Sequence, residues 1–329
     1  MNISKIAELA KVSPATVSRY LNNGYISEEK KERISKVIKE TGYIPSQSAQ
    51  TLRTKKNYLI GVIVPKINSE SISKMVQGIT LQLKNTKYNL LLANTDNSTD
   101  KELEFLSIFK KSTVDGVILI GTIITKKHHQ IIDDYTKPIV ILGQFNKDIS
   151  CVYYDDFGAA RGATEKLIRS GCKDIAYIGV TNEDKSAGMS RLDGFKFALE
   201  KNHLVINERL IHECDFTSDS GYKCMDRILS MGQRFDGLFC ATDNIALGAM
   251  KCLKEHNIDV PNYVKIISVG DSNISNLCTP TLSTAHLYYV NGGESACNLL
   301  LESLEKDMNM VKHYRLGYEI ISRESTMME

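Results

Sequence analysis

A chain of 329 residues, 42% of them hydrophobic and 24% charged, is long enough for about two domains and apolar enough to bury their cores. Its formal charge of +2 suggests no anionic partner, yet residues 1–57 hold eleven Lys and Arg against five Asp and Glu, leaving thirty against thirty-four in the other 272. A basic end of this kind points to nucleic acid, while the opening MNISKIAELAKV lacks the apolar run of a signal peptide and no stretch approaches the ~20 apolar residues of a membrane span, so a cytoplasmic location is expected. The cysteines at 151, 172, 214, 224, 240, 252, 278 and 297 include no Cys-x-x-Cys pair, and buried free thiols are expected in place of a zinc site or a disulfide framework.

In chain order, ISKIAELA (3–10) places Ile3, Ile6, Ala7 and Ala10 on one helical face behind Asn2, a good N-cap. After a turn at Lys11-Val12, Ser13 is set to cap a second helix that starts at Pro14, where a missing N–H costs nothing. Val17 and Leu21 should pack inward, leaving Ala15, Thr16, Ser18, Arg19 and Asn22 outward. A third helix opens at Ser27 with Glu28 and Glu29 at its positive end and buries Ile34, Val37 and Ile38. Three short helices with a polar, Arg-bearing face on the second make a DNA reading head; the plainer alternative is a helical cap on an enzyme. The segment SQSAQTLRT, 46–54, is only about two turns long, too short to hold a helix unaided.

From Leu59 onward, short continuous apolar runs alternate with helix-length amphipathic segments: LIGVIVP (59–65), NLLLANTD (89–96), GVILIG (116–121), PIVILG (138–143), DIAYIGV (174–180), GLFCATD (237–243) and VKIISVG (264–270). Such runs suit parallel strands covered on both faces, with room between them for crossover helices, and predict a doubly wound α/β architecture. One array ends near CVYYDD (151–156), and another starts with the helix GAARGATEKLIRSG, stopped by Gly171, so two lobes and a cleft are expected. Ligands bind beyond the carboxyl ends of strands in such sheets, which aims the loops after Pro65, Asp96, Gly121, Gly143, Val180, Asp243 and Gly270 at the cleft. Asp155-Asp156 reads as a loop joining the lobes in preference to paired acid/base carboxylates, and 302–313 as a polar loop.

The stretch IAELAKVSPATVSRYLNNGYISEEKKERISKVIKETGYIPSQSAQTLRT resembles the headpiece of the LacI/GalR family of bacterial transcriptional regulators, and the similarity covers essentially the whole chain. The resemblance implies an all-helical helix-turn-helix headpiece followed by two Rossmann-like lobes of periplasmic-binding-protein type. Residues 1–57 would bind DNA, with a hinge helix at 46–54, and 58–329 would bind an effector and dimerise, with an N-lobe of about 58–157 and 288–318 and a C-lobe of about 158–287 and 319–329. On this likeness Pro14, Ala15, Ser18 and Arg19 face base edges in the major groove, and Ser13, Thr16 and Asn22 meet phosphates. Arg19 would discriminate most, since a guanidinium takes guanine O6 and N7 together, worth ~1–3 kcal/mol. Leu52 would wedge into a minor-groove base step with Arg53 adding charge, a core leucine being the plainer reading. Lys11 stands where a small residue is usual, and Ser48 and Gln50 depart from the usual hinge.

In the second lobe the resemblance makes Arg191 a sugar-contacting arginine, Phe216 a ring stacked on the ligand and Thr242 a polar contact, with an ion-paired arginine and a core phenylalanine as open alternatives. Asp243 reads equally as a helix cap. The loop PKINSES, holding Lys66 and Ser69, and the Gly-Gln at 143–144, which adds Gln144, are similar to the branch of the family formed by the sucrose and trehalose operon repressors. A cation at Lys66 implies an anionic, phosphorylated sugar, a surface lysine being the alternative. Asp271, in GDSN, is displaced from the family's usual aspartate pair.

There is no Gly-x-Ser-x-Gly elbow, Gly-x-Gly-x-x-Gly turn or phosphate-cradling loop, and His128-His129 lacks a third ligand at metal spacing, so neither catalysis nor a cofactor nor a metal is expected. The reading is a homodimeric transcriptional repressor that binds palindromic double-stranded operator DNA and is released by a sugar or sugar phosphate of the sucrose or trehalose type. A solute-binding protein of a sugar transporter and an α/β sugar-modifying enzyme are the alternatives.

Overall fold

The computed structural model describes residues 1–22, 24–43, 56–111, 114–121, 123–306 and 310–327. They form two compact units, Met1–Tyr58 and Leu59–Glu329. The expected hinge, with Leu52 and Arg53, lies outside the described residues.

The first unit holds α1 (Ile3–Leu9), α2 (Pro14–Leu21) and α3 (Glu28–Thr41). Asn2 caps α1 by accepting the Lys5 N–H at 3.0 Å, and Ser13 caps α2 by accepting that of Thr16 at 3.2 Å. Ser27 holds the N-cap position of α3 without a side-chain capping bond, so the acidic Glu28 and Glu29 supply the polar help at that end. Ile6, Ala7, Ala10, Val17, Ile34 and Tyr43 form the core, with Leu21, Val37 and Ile38 packed against it. The α1–α2 turn runs through Lys11 at φ 52, a left-handed conformation that disfavours any Cβ-bearing residue by ~1–2 kcal/mol.

The second unit opens with β1 (Leu59–Val64), α4 (Glu70–Leu83), β2 (Asn89–Asn94), α5 (Thr99–Lys111), β3 (Gly116–Leu119), α6 (Lys126–Asp133), β4 (Ile139–Leu142) and β5 (Cys151–Tyr154). There follow α7 (Asp156–Arg169), β6 (Ile175–Gly179), α8 (Arg191–Lys201), β7 (Ile211–Glu213), α9 (Ser218–Ser230), β8 (Gly237–Cys240), α10 (Asp243–Glu255), β9 (Lys265–Val269) and β10 (Ser283–Leu287). The chain ends with α11 (Tyr289–Lys306), β11 (His313–Leu316) and β12 (Tyr318–Ile321). Two six-stranded sheets result, ordered β11-β5-β4-β3-β1-β2 and β12-β10-β9-β8-β6-β7. All pairings are parallel except β10 with β12. The chain leaves the first sheet after β5, returns through α11, which packs on α4, and crosses again at Gly317 between β11 and β12.

Continuous apolar runs arise because both faces of each sheet are covered. In β1, Ile60, Val62 and Val64 enter one buried cluster and Ile63 another; in β8, Leu238 and Cys240 face one way and Phe239 the other. Strand order reverses beside β1 in one sheet and beside β6 in the other, and such switch points open crevices at the carboxyl ends of the strands.

Two expectations are corrected. Residues 302–306 continue α11, because Leu301 and Leu304 pack against the core, and His313 begins β11. Asp155 and Asp156 do not form a joining loop: Asp155 caps α7 by accepting the Gly158 N–H at 3.1 Å, and Asp156 is the first residue of that helix. No helix among the described residues is long and apolar enough to cross a membrane.

Candidate functional site

On the first unit, Ser13, Pro14, Ala15, Arg19 and Asn22 are exposed along α2, and Thr16 and Ser18 are half-buried. Pro14, Ala15 and Arg19 thus share an outer surface, with the Ser13 and Thr16 hydroxyls 2.9 Å apart at the start of the helix. The Asn22 side-chain amide donates to the Ser18 carbonyl, closing the other end of α2.

In the second unit a cavity lies among the loops that leave the carboxyl ends of both sheets. Residues at or just beyond the ends of all seven runs contribute, Lys66, Asn97, Gly121, Gln144, Asp184, Asn244 and Ser272 among them, with Asn244 in the first turn of α10 and not in a loop. Lys66, Ser69, Gln144, Arg191, Phe216 and Thr242 line it, so six of the seven residues singled out from sequence come together. Asp271 does not line it. Its carboxylate receives Arg323 Nη2 at 2.6 Å and lies 2.8 Å from His286 Nδ1, and these two contacts outweigh burial and hold its pKa below the usual carboxylate value.

Arg191 starts α8 at the floor of the cavity. Its Nε and Nη2 lie 2.8 and 2.7 Å from Asp156 Oδ1, and its Nη1 donates to the Ala241 carbonyl. Both partners are about 95% buried, at 5% and 4% exposure. Burial raises the Asp156 pKa against the pull of Arg191, and the Asp156 carboxylate in turn keeps the guanidinium charged against its own desolvation. A single turn of π-helix, Lys185–Ser190, precedes α8, closed by the i,i+5 bond from the Met189 N–H to the Asp184 carbonyl at 2.9 Å. Asp184 is buried, which raises its pKa, and it accepts Gln144 Nε2 at 2.9 Å together with the Ser186 and Ala187 N–H groups. Gln144 is therefore an interlobe contact: it leaves the loop after β4 and reaches the loop after β6.

Thr242 caps α10, accepting the Ile245 N–H at 3.4 Å, so the capping role falls to it and not to Asp243. The Asp243 carboxylate is buried and takes Ser268 Oγ at 2.6 Å, Thr284 Oγ1 at 2.9 Å and the Ser272 N–H at 2.6 Å. Across the cleft, Lys66 Nζ stands 5.4 Å from the centre of the Phe216 ring, and burial lowers its pKa. Nearby, Glu70 and Lys74 of α4 bind each other at 2.9 Å and grip the loop after β9, Lys74 on the Asp271 carbonyl at 3.0 Å and Glu70 on the Asn273 N–H at 2.9 Å. The cavity can thus hold a polar ligand between two lobes already joined at its rim. Asp156, Asp184, Tyr154 and Tyr289 also line the cavity and were not singled out from sequence as effector contacts. The one signal for Asp156 was its place in the carboxylate pair beside the lobe junction.

Residues 2–46 match the bacterial regulatory proteins of the lacI family, and residues 164–326 match the periplasmic binding protein-like domain. The sucrose operon repressor of Staphylococcus xylosus is 30% identical over 323 residues, covering 97% of each chain. Among solved structures, a complex of the transcriptional regulator CelR with cellobiose is 26% identical with a TM-score of 0.76 over 99% of each chain. The lac repressor dimer bound to operator and the anti-inducer ONPF shares the fold at a TM-score of 0.92, with 22% identity, over 100% of this chain and 99% of that one. Likeness runs from the headpiece through both lobes, and the chain belongs to the lacI family of bacterial regulatory proteins.

Proposed function

We propose that this transcriptional regulator reads an operator through α2, with Arg19 on base edges, Pro14, Ala15 and Ser18 beside it and Ser13, Thr16 and Asn22 at phosphates, and that it senses an anionic sugar in the cleft. The hinge would add Leu52 as a minor-groove wedge and Arg53 as a phosphate contact. Operator binding as a homodimer fits the exposed Leu81, Leu91 and Leu92 on α4 and the edge strand β2, apolar surface suited to a second copy. The headpiece match distinguishes this reading from a transporter's solute-binding protein, and the named relatives are regulators and not enzymes.

The observation that carries the effector class is Lys66. Its ammonium is half-buried at the cleft, rests on an aromatic ring and forms no carboxylate pair among the described residues, so an anion from the ligand is its natural counter-charge. A phosphorylated disaccharide would place its phosphate there and a pyranose face on Phe216, while Gln144, Thr242 and Ser69 offer hydrogen bonds. The relatives named for sucrose and cellobiose support a disaccharide. A ligand shifts operator affinity only by its differential affinity for two lobe arrangements, so relief of repression requires that the sugar prefer the arrangement that binds DNA poorly.

Calorimetry with sucrose, trehalose and their 6-phosphates tests the effector: a phosphate ester should bind at least about tenfold tighter than its parent, and tighter binding of the neutral sugars would refute the anionic reading. For DNA, a duplex from upstream of its own coding sequence should bind with a salt slope near −0.9 per phosphate contact, and equal affinity for random duplex would refute operator recognition.

A further inference from the structure

A second polar cluster lies on the outer side of the helix pair α9 and α10, apart from the cleft. Asp226 comes from α9, Cys252 from the last turn of α10 and His256 from its C-cap, and one ligand atom from each lies within 4.8 Å of the others. The Cys252 sulfur is 3.8 Å from His256 Nδ1, and Asp226 Oδ1 is 3.5 Å from His256 Nε2. His256 Nδ1 also lies 2.9 Å from the Cys252 carbonyl oxygen, a backbone contact that holds the ring beside the sulfur.

The scaffold beneath is stiff. A Cβ at Gly248 would fall 1.9 Å from the Ser218 carbonyl oxygen and one at Gly221 2.4 Å from that of Ile245, so only glycine permits this close crossing of α9 and α10. Bonds of ~2.0–2.3 Å put tetrahedral ligands roughly 3.5 Å apart, so small side-chain rotations would close the cluster on one ion. The C-terminal end of α10 adds its negative dipole there. The neighbouring Glu255 is held by the Tyr222 hydroxyl at 2.6 Å, which leaves the fourth position to water.

We propose that Asp226, Cys252 and His256 form a site for a borderline-soft divalent cation, Zn²⁺ in class, tying α9 to α10 in the C-lobe. Sulfur, imidazole and one carboxylate select Zn²⁺ over Mg²⁺ or Ca²⁺, which take all-oxygen sets. The cation would clamp the two helices that begin at the cleft, α9 just after Phe216 and α10 at Thr242.

Titration of the full-length protein with Zn²⁺ against a chromophoric chelator, and with Co²⁺ by absorbance, tests the site. One Zn²⁺ per chain should bind with a rise in Tm, and Co²⁺ should give a thiolate charge-transfer band. His256→Ala and Asp226→Asn, both at exposed positions, should each weaken Zn²⁺ binding by at least about tenfold, and Cys252→Ser should remove the thiolate band. Zn²⁺ affinity unchanged in His256→Ala and Asp226→Asn, or a wild-type Co²⁺ complex without a thiolate band, would overturn the proposal whether or not Cys252→Ser folds.

Discussion

Replacing Arg191 by alanine should unfold more than it silences. That guanidinium donates one hydrogen bond to Asp156 and one to the Ala241 carbonyl, and its Nη2 pairs with the same Asp156 oxygen at 2.7 Å, all in a region shielded from water. The substitution strands a carboxylate with 4% exposure, and removing one partner of a buried ion pair typically costs about 3–5 kcal/mol. The cost has a pH signature. Burial already raises the Asp156 pKa above its ordinary 3.8, and loss of the opposing cation raises it further. The native variant therefore binds a proton that the unfolded chain releases, so its deficit should be smallest at acid pH and grow as pH rises through the folded-state pKa. Urea unfolding followed by tyrosine fluorescence, with 15 tyrosines and no tryptophan, reads this directly. Adding Asp156→Asn should recover much of the loss by removing the stranded charge. A deficit below about 1 kcal/mol at neutral pH, or one that does not change with pH, would refute the reasoning.

Lys11→Gly should stabilise the first unit by about 1 kcal/mol, because glycine adopts φ 52 freely; slower hydrogen exchange in α1 and α2 would show it, and unchanged or faster exchange would count against the strain. Glu70→Ala removes the acceptor of the Asn273 N–H, so that amide should exchange about fivefold faster, equivalent to ~1 kcal/mol, and equal protection would mean the rim contact contributes nothing. Asp271→Asn should cost about 1 kcal/mol at neutral pH. Its pKa is depressed, so the contribution is complete above the unfolded value and fades as pH falls through the folded one; a difference from wild type that persists at the acid limit would refute the assignment.

Much of the fold was legible because covered parallel strands must be apolar on both faces, which writes β1, β3, β4, β6, β8 and β9 into the sequence as unbroken runs. The edges were not. Strand β7 spans three residues, β11 exposes His313 and Arg315 at a sheet edge, and β10 buries Ser283 and Thr284, whose hydroxyls are satisfied by Arg323, Thr326 and Asp243. No periodicity marks a strand whose polar side chains are buried by partners distant in sequence. The site divides in the same way. Residues in loops after apolar runs could be placed from sequence alone, whereas Asp184 functions through a π-turn and Asp156 through a partner 35 positions away.

That division bears on how the proposed effector cleft would choose a ligand. Arginine is the residue usually expected to grip a sugar or phosphate, and here the charge of Arg191 is already matched by Asp156, with another of its five N–H donors on a carbonyl. Lys74 is likewise occupied by Glu70 and the Asp271 carbonyl, while Asp184 and Asp243 are saturated by amide, hydroxyl and backbone donors. Among the described lining residues, Lys66 is left as the cation without an acidic partner, and an aromatic face steadies it without neutralising it. A neutral sugar entering this cleft would further desolvate an unpaired ammonium, which is costly, whereas an anionic one would supply the missing counter-charge. Selectivity for charge can therefore arise from what the pocket leaves unpaired, while Arg191 holds α8 and α7 in the geometry that frames it.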